Sequence, residues 1–467
     1  MNEIKGISGK DVKKVHFIGI GGVSMSGLAE ILIGMGFRVS GSDIEISKFT
    51  QKLTGLGADV YLGHDALRMG RPDLVVYTAA VHADNCEYQK AQELGIPLMS
   101  RAVLLGDIMK SHDRGIAVSG AHGKTTATTM VSYLFEKCGL DPTIHIGGEA
   151  DFIGGTVKSG SDRFFITEAC EYTDTFLNLN PFIGIVLNID YDHVDWFCDL
   201  ADMQQSFLEF ARLIPKEGYL IVCHDDINSR FLEDSVDCHV IKYGLMDKSL
   251  DYTAMNLEYD SDGKASFDLY INGKHYGKPR LNIPGTHNVL NVLSAIAACH
   301  LSGGAIEDIL KALESMMGPR RRFELRSDAN GIKVYADYAH NPAEINGTLE
   351  IASNMEHNEI WAVFEPHTYT RVLVLFDDFI KSFGYADHVI MADIYNDREE
   401  TGTKVSSRLM AEEIAKTGRD SIFLPDYDSI TEHLYKNMKP GDIAVILGSK
   451  FIECVADKLA DKYKSQV

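Results

Sequence analysis

Residues 118–126 read VSGAHGKTT, and they constrain the fold of this chain more than any other stretch. An apolar run at 115–118 leads into glycines, then Gly-Lys-Thr, then a helical pattern from about 125 to 138. In that order, strand, loop and helix let backbone N–H groups close around phosphate oxygens, and the helix N-terminus favours the anion. Gly120, His122 and Gly123 lie in the predicted loop, and Thr126 lies at the start of the predicted helix. Lys124 would reach the β- and γ-phosphates, and the Thr125 hydroxyl would ligate Mg²⁺. Val118 stands where the standard spacing has its first glycine, so this is a shortened variant of the phosphate loop.

A second glycine-rich turn, Gly19-Ile20-Gly21-Gly22-Val23-Ser24, directly follows the first predicted strand, 15–18. It is close to the dinucleotide fingerprint, with Ser24 in place of the third glycine. Asp43 ends the segment Ser40-Gly41-Ser42-Asp43, where an acid could hold a ribose. Taken alone, this turn would suggest an NAD-dependent oxidoreductase. The second nucleotide loop changes the balance. It points to a nucleotide-linked substrate on the first domain and ATP on the second.

Glu168 follows a predicted strand at 164–167, and His193 follows another at 183–188. Both fall at carboxyl ends of strands, where open α/β sheets bind ligands. A carboxylate and an imidazole there could hold Mg²⁺ against a transferring phosphate. Further on, Arg320-Arg321-Arg322 precedes the predicted strand 334–336 and the segment Asp337-Tyr338-Ala339-His340-Asn341-Pro342. Guanidinium groups match phosphates and carboxylates. Glu365-Pro366-His367-Thr368-Tyr369-Thr370-Arg371 follows the strand 360–364, and Arg371 could clamp a carboxylate.

The net charge of −22 argues against nucleic-acid and anionic-membrane partners. No run approaches the ~18 apolar residues of a membrane span, and residues 1–20 contain no signal-type apolar core. Eight cysteines without a CxxC pair fit reduced thiols in a cytoplasmic protein.

Strand and helix patterns alternate through three successive stretches. The expected architecture is α/β with three domains. These are a Rossmann-like N-terminal domain (1–112), a central P-loop-type ATPase domain with a mainly parallel sheet (113–317) and a C-terminal Rossmann-like domain (318–467). A hinge is expected near Gly318-Pro319.

Taken in order, these segments resemble the Mur ligase family of peptidoglycan synthesis. They include residues 16–22, 40–43, 120–126, 168–172 (EACEY), 188–195, 284–288 (PGTHN), 321–323, 337–342, 366–371 and 406–407. The resemblance implies an ATP- and Mg²⁺-dependent amide-bond ligase. It would join L-alanine to the carboxylate of UDP-N-acetylmuramate through an acyl phosphate, as a monomer or weak homodimer. A family branch adding another amino acid or peptide is the alternative.

By the same resemblance, Gly21, Gly22, Ser42 and Asp43 fall in the UDP-sugar site. Lys124 and Thr125 meet ATP phosphates and Mg²⁺, and Glu168 and His193 ligate the metal. Asn288 and Asn291 lie near adenine, and Arg322 and Asp337 touch ATP. Tyr338, His340, His367 and Arg371 line the cleft near the incoming amino acid. His193 or His340 could take the amine proton. Asn341, Glu365, Ala121 and Lys450 depart from the expected pattern, and no lysine lies between Lys158 and Lys216 to serve as a carbamylated metal bridge.

Overall fold

The computed structural model describes residues 12–193, 196–396, 405–449 and 451–464. Val194, Asp195 and Lys450 therefore lie outside the described residues. Three sheets carry the fold. The first has five parallel strands in the order Asp59–Leu62, Arg38–Asp43, Lys14–Ile18, Leu74–Tyr77, Leu98–Ser100. The strand order reverses on either side of Lys14–Ile18, and the glycine turn leaves that strand's carboxyl end. This is the crevice position of a doubly wound sheet.

The second sheet has eleven strands. Arg114–Ser119 lies between Phe164–Glu168 and Pro181–Val186 and is parallel to both. Antiparallel pairs occur between Thr143–Ala150 and Gly155–Lys158, and where Lys264–Ile271 meets Lys274–Gly277 and Arg280–Pro284. The third sheet has six strands. Glu324–Ala329 runs antiparallel to Ile332–Asp337, and the remaining pairs, through Ile443–Leu447, Ile360–Phe364, His388–Met391 and Asp420–Phe423, are parallel. Three α/β layers with a mainly parallel central sheet match the expected fold class.

Parallel strands covered on both faces read as continuous apolar runs. IAVIL at Ile443–Leu447 and IWAVF at Ile360–Phe364 are buried throughout. By contact density the chain forms two compact units. One gathers Met1–Asn256, Asp268–Pro279 and Asn288–Pro319; the other joins Arg320–Val467 to Leu257–Phe267 and Arg280–His287.

Within the first unit, the N-terminal helix Val23–Gly34 packs on the central domain. A Cβ on Gly27 would lie 2.7 Å from Val157 Cγ1, so glycine permits this approach. Below the central sheet, Phe176 stacks on Phe210 at 4.9 Å and meets Phe207 edge-on at 5.4 Å. All three rings are fully buried. Burial of such rings contributes about 1.5–3 kcal/mol each. It fixes the 3₁₀ turn Tyr172–Asn178 against the helix Leu200–Arg212, which in turn fixes the backbone just after Glu171. All eight cysteines are free thiols. Among the described residues no helix is long and apolar enough to cross a membrane.

Candidate active site

The phosphate loop leaves the Arg114–Ser119 strand and enters the helix Lys124–Lys137. Gly123, its N-cap, sits at φ +82°, a left-handed conformation that costs other residues ~1–2 kcal/mol. A Cβ there would also lie 3.1 Å from Asn291 Oδ1, so Asn291 packs directly on the loop. Asn288 and Asn291 are both buried and share a 3.1 Å hydrogen bond. Asn188 clamps the loop from the other side. Its Oδ1 accepts from His122 N–H at 2.8 Å, and its amide donates to His122 O at 3.1 Å. The His122 ring approaches Asp190 at 3.2 Å. Thr125 packs against Gly148, where a Cβ would lie 2.9 Å from its methyl group. Thr126 is buried in the helix's first turn.

Lys124 Nζ donates to Gly120 O at 2.5 Å, to Ala121 O at 3.1 Å and to Glu171 Oε1 at 2.9 Å. Glu171 is fully buried, and His193 Nε2 lies 3.2 Å from the same oxygen. Burial pushes the Glu171 carboxyl up, but the Lys124 charge and the His193 contact more than offset it, so its pKa is lowered. For Lys124, burial works against the ammonium and Glu171 overrides it, so its pKa is raised. Among the described residues, Glu171 Oε2 is buried without a hydrogen-bond partner. Glu168 ends its strand as expected, and its Oε1 accepts from Gly147 N–H at 2.7 Å. A Cβ on Gly147 would lie 2.9 Å from both Glu168 oxygens.

Backbone strain gathers at this site. Thr173, Asp174 and His193 all have φ near +50°. Such strain in non-glycine residues persists only where the surroundings hold it, and it clusters at functional sites. The His193 ring packs on Tyr172 at 4.6 Å, and Asp192 Oδ1 accepts from the His193 N–H at 2.7 Å.

The glycine turn of the N-terminal domain is tied to Asp43. Gly21 N–H donates to Asp43 Oδ2 at 2.7 Å, and Glu45 N–H donates to Oδ1 at 3.2 Å. Asp43 thus braces the turn as well as facing the crevice. The Val23–Gly34 helix starts at Gly22 with no side-chain cap, leaving its first N–H groups to a ligand or solvent. Ser24, the residue replacing the third glycine, has a structural use. Its hydroxyl lies 3.1 Å from His145 Nε2 and accepts from Arg101 at 3.1 Å. His145 Nδ1 reaches Thr167 at 3.0 Å, one residue before Glu168. Burial, with Arg101 nearby, pushes His145 down to about 4, so this bridge is neutral.

In the second unit, Asp337 ends the Ile332–Asp337 strand. Its carboxylate accepts from Phe323 N–H at 2.6 Å and Ala339 N–H at 2.7 Å. Burial raises it to about 6, against the opposing pull of Arg322 and these two bonds. The Arg321 and Arg322 guanidinium groups lie over the Tyr338 ring at 4.9 and 5.1 Å. Arg321 also pairs with Glu453 at 2.9 Å, which gives this member of the arginine run a structural role. His340 Nδ1 sits 3.1 Å from Tyr338 O and 3.3 Å from Glu344, whose other oxygen lies 3.7 Å from Arg322.

Asn341 is the buried N-cap of the helix Pro342–Ser353, accepting from Glu344 N–H at 2.9 Å. Glu365 is buried, accepts from Tyr427, and has its pKa raised by burial. His367 forms an isolated bridge to Tyr395, and Arg371 lies on the short helix Tyr369–Val374.

Glu168 and His193 are expected from the sequence; Glu171 and Glu344, the carboxylates that orient Lys124, His193 and His340, are not. The spacing Glu168-x-x-Glu171 was the available signal. Among the described residues no three His, Cys, Asp or Glu side chains converge as a ready-made metal cage. Glu168 packs on Gly147 and Thr125 on the adjacent Gly148, and a carboxylate and a hydroxyl are hard-oxygen donors of the kind Mg²⁺ takes when substrate phosphates and waters complete its shell.

Comparison with known proteins follows the same division. The description "Mur ligase family, catalytic domain" matches residues 14–113, "Mur ligase middle domain" 118–299 and "Mur ligase, glutamate ligase domain" 321–450. A UDP-N-acetylmuramate–L-alanine ligase of Acetivibrio thermocellus is 47% identical over 449 residues, covering 96% of each chain. One from Caldanaerobacter subterraneus subsp. tengcongensis is 45% identical over 97% of this chain and 98% of its own. The crystal structure of a UDP-N-acetylmuramate-alanine ligase of Thermotoga maritima superposes with a TM-score of 0.81 at 27% identity, over 97% of this chain and 100% of that one. A murein peptide ligase of Psychrobacter arcticus gives 0.70 at 26% identity, over 97% and 99%. With its three domains matched in order and relatives aligned along nearly their whole length, the chain belongs to the Mur ligase family.

Proposed function

We propose that this chain joins L-alanine to the carboxylate of UDP-N-acetylmuramate at the expense of ATP, as a step in making peptidoglycan precursors. The observation that carries the chemistry is the Lys124–Glu171–His193 cluster, gathered on the buried Glu171 at the mouth of the phosphate loop. The relatives at 45–47% identity carry the substrate assignment.

A carboxylate is a poor electrophile, so it must first be activated. One carboxylate oxygen of the muramate attacks the γ-phosphorus of ATP. The bond from that phosphorus to the β-γ bridging oxygen breaks, giving an acyl phosphate and ADP. The alanine amine then attacks the acyl carbon. Phosphate leaves from the tetrahedral intermediate, and the amine loses a proton.

Lys124, held at the loop by Glu171, stabilises negative charge on the transferred phosphoryl group. Thr125, Glu168 and His193 would hold Mg²⁺, which when bound neutralises phosphate charge. Gly120, His122, Gly123 and Thr126 shape the loop, and Asn288 and Asn291 lie on its adenine side. By the family resemblance, Arg322, Asp337, Tyr338, His367 and Arg371 are assigned to ATP and the amino acid. Gly21, Gly22, Ser42 and Asp43 hold the UDP-sugar. His340, or His193 only if it does not ligate the metal, would accept the amine proton. Each has a carboxylate neighbour, Glu171 at 3.2 Å and Glu344 at 3.3 Å, to stabilise the imidazolium that results. A reaction that draws on ATP and a UDP-sugar supports a cytoplasmic location.

The nicotinamide reading of the first glycine turn is set aside. The chain's family is one of ligases, and Ser24, which would have to be a glycine, is instead part of the bridge to His145 and Arg101. The test is product identification. Mass spectrometry of a reaction containing ATP, Mg²⁺, UDP-N-acetylmuramate and L-alanine should show one new species at the mass of the amide. Its absence while ATP is hydrolysed would contradict the assignment.

A further inference from the structure

Two helices of the central domain begin at the nucleotide site and end at a pair of thiols. Lys124–Lys137 starts from the phosphate loop, and Thr286–Leu301 carries Asn288 and Asn291 in its first two turns. They meet at that end, where Asn291 packs on Gly123. At the other end stand Cys138, the C-cap of the first helix, and Cys299, in the last turn of the second. The Cys299 thiol donates a hydrogen bond to the Cys138 sulfur. The proposed ligase reaction uses neither thiol.

A buried free thiol is ordinarily inert packing. Here the two members of the pair are unequal. Cys299 is fully buried, and Gly304 holds it from behind. A Cβ on Gly304 would lie 2.6 Å from Cys299 Sγ, and Gly304 N–H donates to Cys299 O at 2.9 Å. Cys138 is only partly buried, and Gly139 follows it in a left-handed turn at φ +72°. Cys138 is thus open to reagents in solution, and it is the member with room to move. The Cys299 hydrogen bond holds the Cys138 thiol below its ordinary range, against burial and the charge of Asp308 on the helix Ile306–Leu313. The same bond, with burial, keeps Cys299 protonated. Cys138 is the attacking thiolate and Cys299 the resolving thiol.

The oxidant is a small disulfide. The Cys138 thiolate attacks one of its sulfurs, the S–S bond of the oxidant breaks, and one small thiolate leaves. Cys299 then gives up its proton and attacks the Cys138 sulfur of the mixed disulfide, and the second small thiolate leaves. Two protein thiols are oxidised to one S–S bond, the small disulfide is reduced, and the two protons end on the released thiolates. The new bond is about 2.05 Å long, so sulfurs that share only a hydrogen bond must close together. With Cys299 held, the end of the phosphate-loop helix takes up the movement. A close-packed interior transmits such a shift, and the helix runs from there to Lys124 and Thr125.

We propose that Cys138 and Cys299 are a redox modification site, closing reversibly to a disulfide that displaces the phosphate-loop helix and lowers ATP affinity. Disulfides in reducing compartments are of this transient, sensing kind. The effect on ATP rests on the proposed reading of the loop, and the bond itself does not.

The experiment equilibrates the reduced full-length protein with mixtures of reduced and oxidised glutathione. Mass spectrometry of alkylated, unreduced digests should find the peptides holding Cys138 and Cys299 joined. By calorimetry the oxidised protein should bind ATP about fivefold more weakly or worse, the scale on which two sites couple, and dithiothreitol should restore the affinity. Cys138→Ser should bind ATP as reduced wild type does and be unaffected by oxidised glutathione, which separates this bond from oxidation of the exposed Cys86 and Cys198. Absence of the joined peptides at every glutathione ratio, ATP binding unchanged by the bond, or an equal loss in Cys138→Ser would overturn the proposal. If reduced wild type binds no ATP, the reading of the loop falls and the switch with it, while the peptide map still shows whether the bond forms.

Discussion

Lys124 Nζ and Glu171 Oε1 lie 2.9 Å apart at the mouth of the phosphate loop, in a pair whose carboxylate is fully buried. Removing one partner of a buried pair costs about 3–5 kcal/mol, because the other charge is left uncompensated. Lys124→Ala should therefore destabilise the protein and also cut turnover by on the order of 10²–10³-fold, the scale of a lost electrostatic clamp. Lys124→Ala with Glu171→Gln should recover most of the stability and none of the turnover. Urea unfolding and phosphate release together check this. Recovery of both would show that Lys124 has only a structural role.

Gly147→Ala should weaken Mg²⁺ dependence without unfolding the protein. The added Cβ would sit 2.9 Å from the Glu168 carboxylate, which must turn away. The Mg²⁺ concentration for half-maximal turnover should rise several-fold, with the melting temperature nearly unchanged. Unaltered Mg²⁺ dependence would remove Glu168 from the metal site.

Asp337 gives a pH signature. Its native carboxyl stands at about 6, against an ordinary 3.8. Between those values the native state holds a proton that the unfolded state has lost. Stability from this group is thus greatest below pH 4 and falls as pH rises through 6, by at most about 3 kcal/mol. The unfolding free energy of wild type minus that of Asp337→Asn should decline across that window and be flat above it. A difference that rises with pH would contradict the raised value.

Asn341 stands where the family resemblance expects a different residue, and the structure makes it a helix cap. Asn341→Ala should cost about 1 kcal/mol of stability. It should leave the preference for alanine over glycine or serine unchanged in a phosphate-release assay. A changed preference would make Asn341 a specificity residue.

The two glycine turns and the long apolar strands were legible because a phosphate loop and a doubly covered strand both need contiguous residues. Short and partly exposed strands such as Asp59–Leu62 and Leu98–Ser100 carry too little periodicity to stand out. Glu171 was hidden for another reason. Its importance lies in a partner 47 residues away, Lys124, and no local pattern announces a buried carboxylate. Ser24 shows the opposite case. As a broken glycine fingerprint it looked like a defect, and the contact with His145, 121 residues along, explains it.

The most direct measurement is phosphate release from ATP and Mg²⁺ with UDP-N-acetylmuramate and one amino donor at a time: alanine, glycine, serine and a tripeptide. The account predicts turnover that requires both the muramate and an amino acid, with alanine the best donor. Equal or better turnover with the tripeptide, or turnover independent of the muramate, would contradict it.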